Sequence, residues 1–119
     1  MEKSTIKSNM KKATVELLLL KLLNEGDKYG YQMTQELKKR SGGNYTVLEG
    51  SMYPILYRLE EQNLISGEER KVGKRLTRVY YHLEPEGKVY FELLQREFME
   101  YVGLVRFLLE SEEGEVYEG

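Results

Sequence analysis

Residues 51–62 read SMYPILYRLEEQ, and residues 64–83 read LISGEERKVGKRLTRVYYHL. The first run predicts a helix and the second a hairpin. Ser51 is placed to cap the helix, and Pro54 then falls in the first turn, where a missing N–H costs nothing. At about 100° per residue, Met52, Ile55, Leu56 and Leu59 share one arc, with Gly50, Tyr53, Pro54, Tyr57, Arg58 and Glu61 opposite. In the second run Val79, Tyr81 and Leu83 are predicted to point inward. They alternate with Arg78, Tyr80 and His82, the period of a strand buried on one face. Gly73 marks the turn.

The outer face of this helix joins two tyrosines, a proline and an arginine in its first two turns. Its acids, Glu60 and Glu61, come at the far end. Acids repel phosphate, so only the N-terminal half suits a DNA groove, as recognition helices usually dock. Ser and Tyr hydroxyls can bond phosphates or base edges, and Pro54 or the Tyr53 ring can touch a thymine methyl. Arg58 is placed either on a guanine edge or in an intramolecular pair with a glutamate. Around the hairpin turn, Arg70, Lys71, Lys74, Arg75 and Arg78 put five bases within nine residues. A basic ribbon tip suits phosphate or minor-groove contact; a charged edge that resists aggregation is the plainer reading.

Outward from this stretch, a first helix is predicted from about Met10 to Glu25. Ala13, Leu17, Leu20 and Leu23 form one stripe, and Val15, Leu18, Leu19 and Leu22 another. A helix apolar on nearly all sides needs cover on two, and a partner subunit is the expected second cover. Gly26 ends it, and Asp27 is placed to cap a second helix from about Lys28 to Arg40. Tyr29 opens that helix, either against a phosphate or as a core-edge ring. Residues 41–45 are a loop by composition. Glu84-Pro85-Glu86-Gly87 restarts a helix with proline first. From there Phe91, Leu94, Phe98, Tyr101, Val102, Val105, Leu108 and Leu109 form one apolar stripe. At roughly 30 Å this helix outreaches a small core, so its end is expected to pack on a second subunit. The predicted class is mainly α with a small β-hairpin, a winged helix-turn-helix of order α-α-α-β-β-α plus a long C-terminal dimerisation helix. Residues 1–83 form the DNA-binding head, 84–110 the dimerisation helix and 111–119 an acidic disordered tail.

Composition narrows the function classes. The 119 residues contain no cysteine and one histidine, which excludes disulfides, thiolate metal sites and cysteine nucleophiles. With no phosphate loop and no His–acid pair at useful spacing, neither a catalytic nor a metal site is expected, and the chain reads as a non-enzyme without cofactor. No apolar leader run is visible and Leu17–Leu20 is too short to span a bilayer, so a cytoplasmic protein without membrane contact is expected. The net charge of −2 conceals a split. Residues 1–83 hold 15 Lys/Arg against 10 Asp/Glu, and residues 84–119 hold 3 against 10. The local field, not the whole-chain average, is what a phosphate backbone meets. The residues therefore point to a dimer that reads duplex DNA. A winged helix used only for protein–protein contact is the alternative.

Several stretches resemble the PadR family of transcriptional regulators. They are Tyr29-Gly30-Tyr31, Gly42-Gly43-x-Tyr45, the run from Glu49 to Glu60, Gly73-Lys74-Arg75, Tyr80-Tyr81-x-Leu83 and Gly87. The resemblance covers about residues 12–95. It departs at Glu84-Pro85, where the family commonly has Thr and a non-proline. It implies a dimeric regulator, usually a repressor of nearby genes, bound to an inverted-repeat operator. The third helix would enter the major groove, the wing would touch backbone or minor groove, and the first and last helices would dimerise. The DNA contacts implied are Tyr29, Ser51, Tyr53, Pro54, Tyr57, Arg58, Lys71, Lys74, Arg75 and Arg78. Some members bind flat aromatic effectors between subunits. The corresponding dimer face and effector pocket here would draw on Leu18, Leu22, Tyr90, Phe91, Leu94, Phe98, Tyr101, Val102 and Val105. This chain has no tryptophan to stack there.

Overall fold

The fold is that of a computed structural model describing residues 9–112; the acidic tail beyond 112 and residues 1–8 lie outside the described residues. Seven elements follow in order: α1 (Val15–Asn24), β1 (Lys28–Tyr29), α2 (Gly30–Arg40), α3 (Glu49–Glu61), β2 (Ile65–Val72), β3 (Leu76–Leu83) and α4 (Pro85–Glu110). The chain is mainly helical, with one antiparallel three-stranded sheet in the order β1-β3-β2. This is the winged helix-turn-helix expected from the sequence, with a two-residue strand added on the far side of β3. No helix among the described residues is long and apolar enough to cross a membrane.

The leucine run of α1 is the centre of the core. Leu19, Leu20, Leu22 and Leu23 are buried, together with Met33 of α2, Met52, Leu56 and Leu59 of α3, Ile65 and Tyr81 of the sheet, and Phe91 of α4. The second cover expected from a partner is supplied largely by the chain's own α4, which packs along α1; only Leu18 of the run is half-exposed. The helix also starts later than the periodicity predicts. A turn at Ala13 and Thr14 separates it from helical residues 9–12. Thr14 Oγ1 donates to the Lys11 carbonyl at 2.9 Å and shares a 2.7 Å bond with the Tyr45 hydroxyl. Threonine side chains compete with helical backbone in this way.

Helix α3 begins two residues before the predicted start. Leu48, extended at φ −80° and ψ 142°, occupies the cap position and makes no side-chain cap bond. Glu49 takes the first turn, where a carboxylate complements the dipole. Ser51 is therefore an outward helix residue instead of the cap, and Pro54 sits in the second turn, where its ring removes the bond Gly50 would have accepted. Asn63, at φ 60°, ends α3 and launches β2.

The hairpin pairs Arg70 with Arg78 and Val72 with Leu76 around Gly73, whose φ is 77°. Only its base meets the core: Tyr81 is buried and Leu83 half-buried, but Val79 is 40% exposed. Val79 shares the face of Tyr81, as the alternation predicts, and lines a groove beside α3, but nothing closes over it and it stays exposed.

Pro85 is the first residue of α4, as predicted. Phe91 is buried and Leu94 and Phe98 half-buried, whereas every residue from Met99 to Glu110 is exposed. The result is a body 71 Å long but only 34 by 21 Å across.

Candidate nucleic-acid interface

The start of α2, the outer side of α3 and the wing strand β3 enclose one open groove. Two tyrosines of α3 build its wall. The Tyr53 and Tyr57 rings stack with centroids 6.0 Å apart and 30° between planes. Tyr57 is 55% exposed, as is Tyr31 of α2 to nearly the same degree. The Tyr53 hydroxyl lies so close to Gly30 that a Cβ there would stand 2.6 Å from it, so the glycine is what lets α2 and α3 approach. Burial, with the Glu49 charge next, raises the Tyr53 phenol above its ordinary value. Tyr81 closes the groove floor, and burial pushes its phenol up to about 12. Both remain neutral hydroxyls at neutral pH, and the half-buried Tyr53 can donate to phosphate or base acceptors. Ser51 and Pro54 are exposed on the adjoining face of α3.

Tyr29 is half-buried at the cap position of α2. Its ring meets Tyr80 edge-on at 5.4 Å and carries the Arg78 guanidinium at 4.3 Å. The geometry makes the ring a core-edge platform that also carries a cation at the groove. Arg70 is used differently. It lies over Tyr80 at 4.7 Å and pairs with Asp27 at 2.7 Å. Among the described residues, Lys71, Lys74 and Arg75 have no ion-pair partner, and all three are exposed at the wing tip. Arg58 is exposed too, but its guanidinium is paired with Glu16 at 2.8 Å.

Asp27 does not cap α2. Its side chain links a residue of each wing strand, accepting from Arg70 through Oδ2 and meeting His82 Nδ1 at 2.7 Å through Oδ1. The His82 contact, then Arg70, holds the Asp27 carboxyl below its ordinary value, and Asp27 raises His82 above 6.5. The His82–Asp27 contribution to wing stability is thus full below about pH 6.5 and is lost as pH rises through the elevated histidine value. On the acid side it fades as Asp27 protonates below its ordinary range. His82 is the only histidine, so a proton NMR titration reads it without ambiguity. Asp27→Asn is expected to return the His82 midpoint to near 6.5; equal midpoints in the two proteins would remove Asp27 as the cause.

Of the residues expected at a dimer face or effector pocket, Leu22 and Phe91 are closed inside the chain's own core. Leu18, Tyr90, Leu94 and Phe98 are half-buried against it, and Tyr101, Val102 and Val105 are exposed on the bare half of α4. The sequence marks no role for Glu16, Leu76 or Thr77, nor for Tyr31 beyond its place in Tyr29-Gly30-Tyr31; Tyr31, Leu76 and Thr77 line the groove. The signal for Glu16 was present: it is the one acid inside the run VELLLLKLL.

Residues 19–93 match a family model described as Transcriptional regulator PadR-like family. The chain is 27% identical over 106 residues to an uncharacterized protein, X, of Lysinibacillus sphaericus, covering 89% of this chain and 97% of that one. It is 38% identical over 69 residues to the transcriptional regulator Rv3488 of Mycobacterium tuberculosis, covering 58% of this chain and 62% of that protein, less than two thirds of its length. Among solved structures, a PadR family transcriptional regulator from Eggerthella lenta superposes with a TM-score of 0.82 at 26% identity, covering 92% of this chain and 93% of the other.

Proposed function

This chain belongs to the transcriptional regulator PadR-like family, and from that premise we propose that it acts in the cytoplasm as a homodimeric repressor on an inverted-repeat operator. The family's members are DNA-binding regulators of transcription, not enzymes. In the proposed division of labour residues 1–83 read DNA and residues 84–110 join two subunits. Helix α3 enters the major groove with Ser51, Tyr53, Pro54 and Tyr57, while Lys71, Lys74 and Arg75 meet phosphates or the minor groove. Arg78 and Tyr29 brace the wing root, and Arg58 joins the interface on leaving Glu16. Release by a flat aromatic ligand between the subunits, walled by Tyr90, Phe98 and Tyr101, completes the reading.

The observation that carries the proposal is the groove in which the stacked Tyr53 and Tyr57 of α3 face Leu76, Thr77 and Arg78 of the wing strand, with Lys71, Lys74 and Arg75 exposed at the tip of that same hairpin. Fluorescence anisotropy against an inverted repeat from the protein's own promoter tests it. Each neutralised phosphate contributes about 0.9 to the slope of log affinity against log salt. The triple variant Lys71→Ala/Lys74→Ala/Arg75→Ala is therefore expected to flatten the slope by roughly 2 to 3 per subunit and to weaken binding at least 100-fold at about 0.1 M salt. Failure of the unmodified protein to bind at low salt would sink the proposal, and an unchanged slope in the variant would remove the wing from it. A thermal-shift screen of planar aromatic compounds tests the effector, with a rise in melting temperature that Tyr101→Ala abolishes as the expected result.

A further inference from the structure

Arg58 is the only cation of α3, and the chain occupies it with a residue from elsewhere. The Glu16 carboxylate of α1 is divided between two other helices. Its Oε1 accepts from Arg58 Nη2 at 2.8 Å, and its Oε2 accepts from the Tyr90 hydroxyl of α4 at 3.2 Å. Helices α1, α3 and α4 thus meet at one carboxylate. The Glu16 side chain is 23% exposed and that of Arg58 51%, so the arginine can swing away while the acid stays fixed in the leucine-rich helix.

We infer that Glu16 is a clamp on the recognition helix, holding its one guanidinium off DNA and yielding it to a nucleic-acid phosphate or guanine edge, with Tyr90 setting how readily it yields. The inference rests on the reading of α3 as the DNA-facing helix. A phosphate oxygen accepts the same charge-assisted bond from a guanidinium as the Glu16 Oε1 does here, so duplex backbone competes with Glu16 for the same group. A carboxylate abandoned by its only partner would be left with a desolvation cost. Glu16 avoids this because the Tyr90 hydroxyl remains on its second oxygen. Tyr90 therefore assists release, and it lies on α4, so a displacement of α4 alters the hold on a side chain of the reading helix. The clamp also sets charge: paired with Glu16, Arg58 adds nothing to the net field of the reading face; released, it adds one cation per subunit.

The test uses the full chain and a duplex carrying the inverted repeat of its own promoter, with affinity measured from about 0.05 to 0.3 M salt. Glu16→Gln is expected to bind about 5- to 10-fold tighter across that range, because Arg58 then reaches DNA without first leaving a carboxylate. Tyr90→Phe is expected to bind about 3-fold weaker, because Arg58 becomes the only partner Glu16 has left. That loss should disappear in Glu16→Gln/Tyr90→Phe. Removing a negative charge near DNA raises affinity by itself, and two comparisons separate that effect. Glu16→Asp keeps the charge, shortens the reach to Arg58 and should also bind tighter. In an Arg58→Ala background the gain from Glu16→Gln should shrink to about 2-fold or less. A Glu16→Gln protein that binds no tighter, or gains equally with and without Arg58, would overturn the clamp. Absence of binding by the unmodified protein at low salt would instead overturn the DNA-binding reading beneath it. Circular dichroism melts of each variant identify loss of fold, and Glu16→Asp carries the test if Glu16→Gln does not fold.

Discussion

Gly87→Ala is expected to destabilise the protein by about 3 kcal/mol, at the upper end of overpacking effects. Gly87 lies in the first turn of α4, beneath the Leu64 carbonyl. That carbonyl is fixed, because it accepts the Glu84 N–H at 3.0 Å as the chain passes from wing to helix. A Cβ on Gly87 would overlap the Leu64 carbonyl oxygen and stand 2.7 Å from Leu83 Cδ1. A flexible side chain could give way, but here the obstruction is backbone, so the base of the wing and the root of α4 must separate. Phe91, one turn further on, would leave the core with it. The melting temperature should fall by roughly 10 °C or more, compared at equal protein concentration because association contributes to the transition. Gly50→Ala is the internal control. Nothing lies within 4 Å of its Cβ position, and alanine is the better helix former by roughly 0.5–1 kcal/mol. A Gly87→Ala protein that melts within a few degrees of the unmodified one would disprove the backbone obstruction.

The second large effect is on assembly. Val102, Leu104, Val105, Phe107, Leu108 and Leu109 are all exposed on the outer half of α4, Leu109 to 81%. A helix half with no neighbour and an apolar stripe gains stability by burying that stripe, at about 25 cal/mol per Å² removed from water. In the proposed dimer the cover is a second copy. Val105→Glu/Leu108→Glu places two charges in the stripe without touching the head, whose core closes at Phe91. Light scattering should show the mass of a monomer at micromolar concentration. Operator affinity should fall by about 100-fold or more, since two linked heads bind with an effective concentration that separated heads lose. An unchanged mass would mean that this stripe is not the dimer face.

The elements that could be read from sequence are those whose evidence is local. Period-3.6 and period-2 patterns placed α3, the hairpin and α4, and Pro85 marked the start of α4. What could not be read is what joins distant segments. The Arg58–Glu16, Arg70–Asp27 and His82–Asp27 contacts span 42, 43 and 55 residues, and no local pattern announces a partner that far away. Glu16 showed itself only as an acid in leucine-rich company, and Asp27 was credited with the nearest local role, a helix cap. Val79 followed the strand period faithfully but lay beyond the core, because alternation specifies a face and not what covers it. The start of α3 was misplaced for a similar reason: Ser51 has the better capping side chain, yet the backbone turned at Leu48, where Glu49 complements the dipole.

The geometry of α4 has a mechanical consequence. Anchored at Gly87 and bare beyond Phe98, it is a lever with one fixed end. At 1.5 Å per residue its tip at Leu109 lies about 33 Å from the pivot. A tilt on the order of 5° at the root displaces that tip by about 3 Å, close to the 3.4 Å rise between successive base pairs. In the proposed dimer, a small angular adjustment where wing, α1 and α4 converge would be magnified at the tip into a shift of one head relative to the other on the scale of a base-pair step.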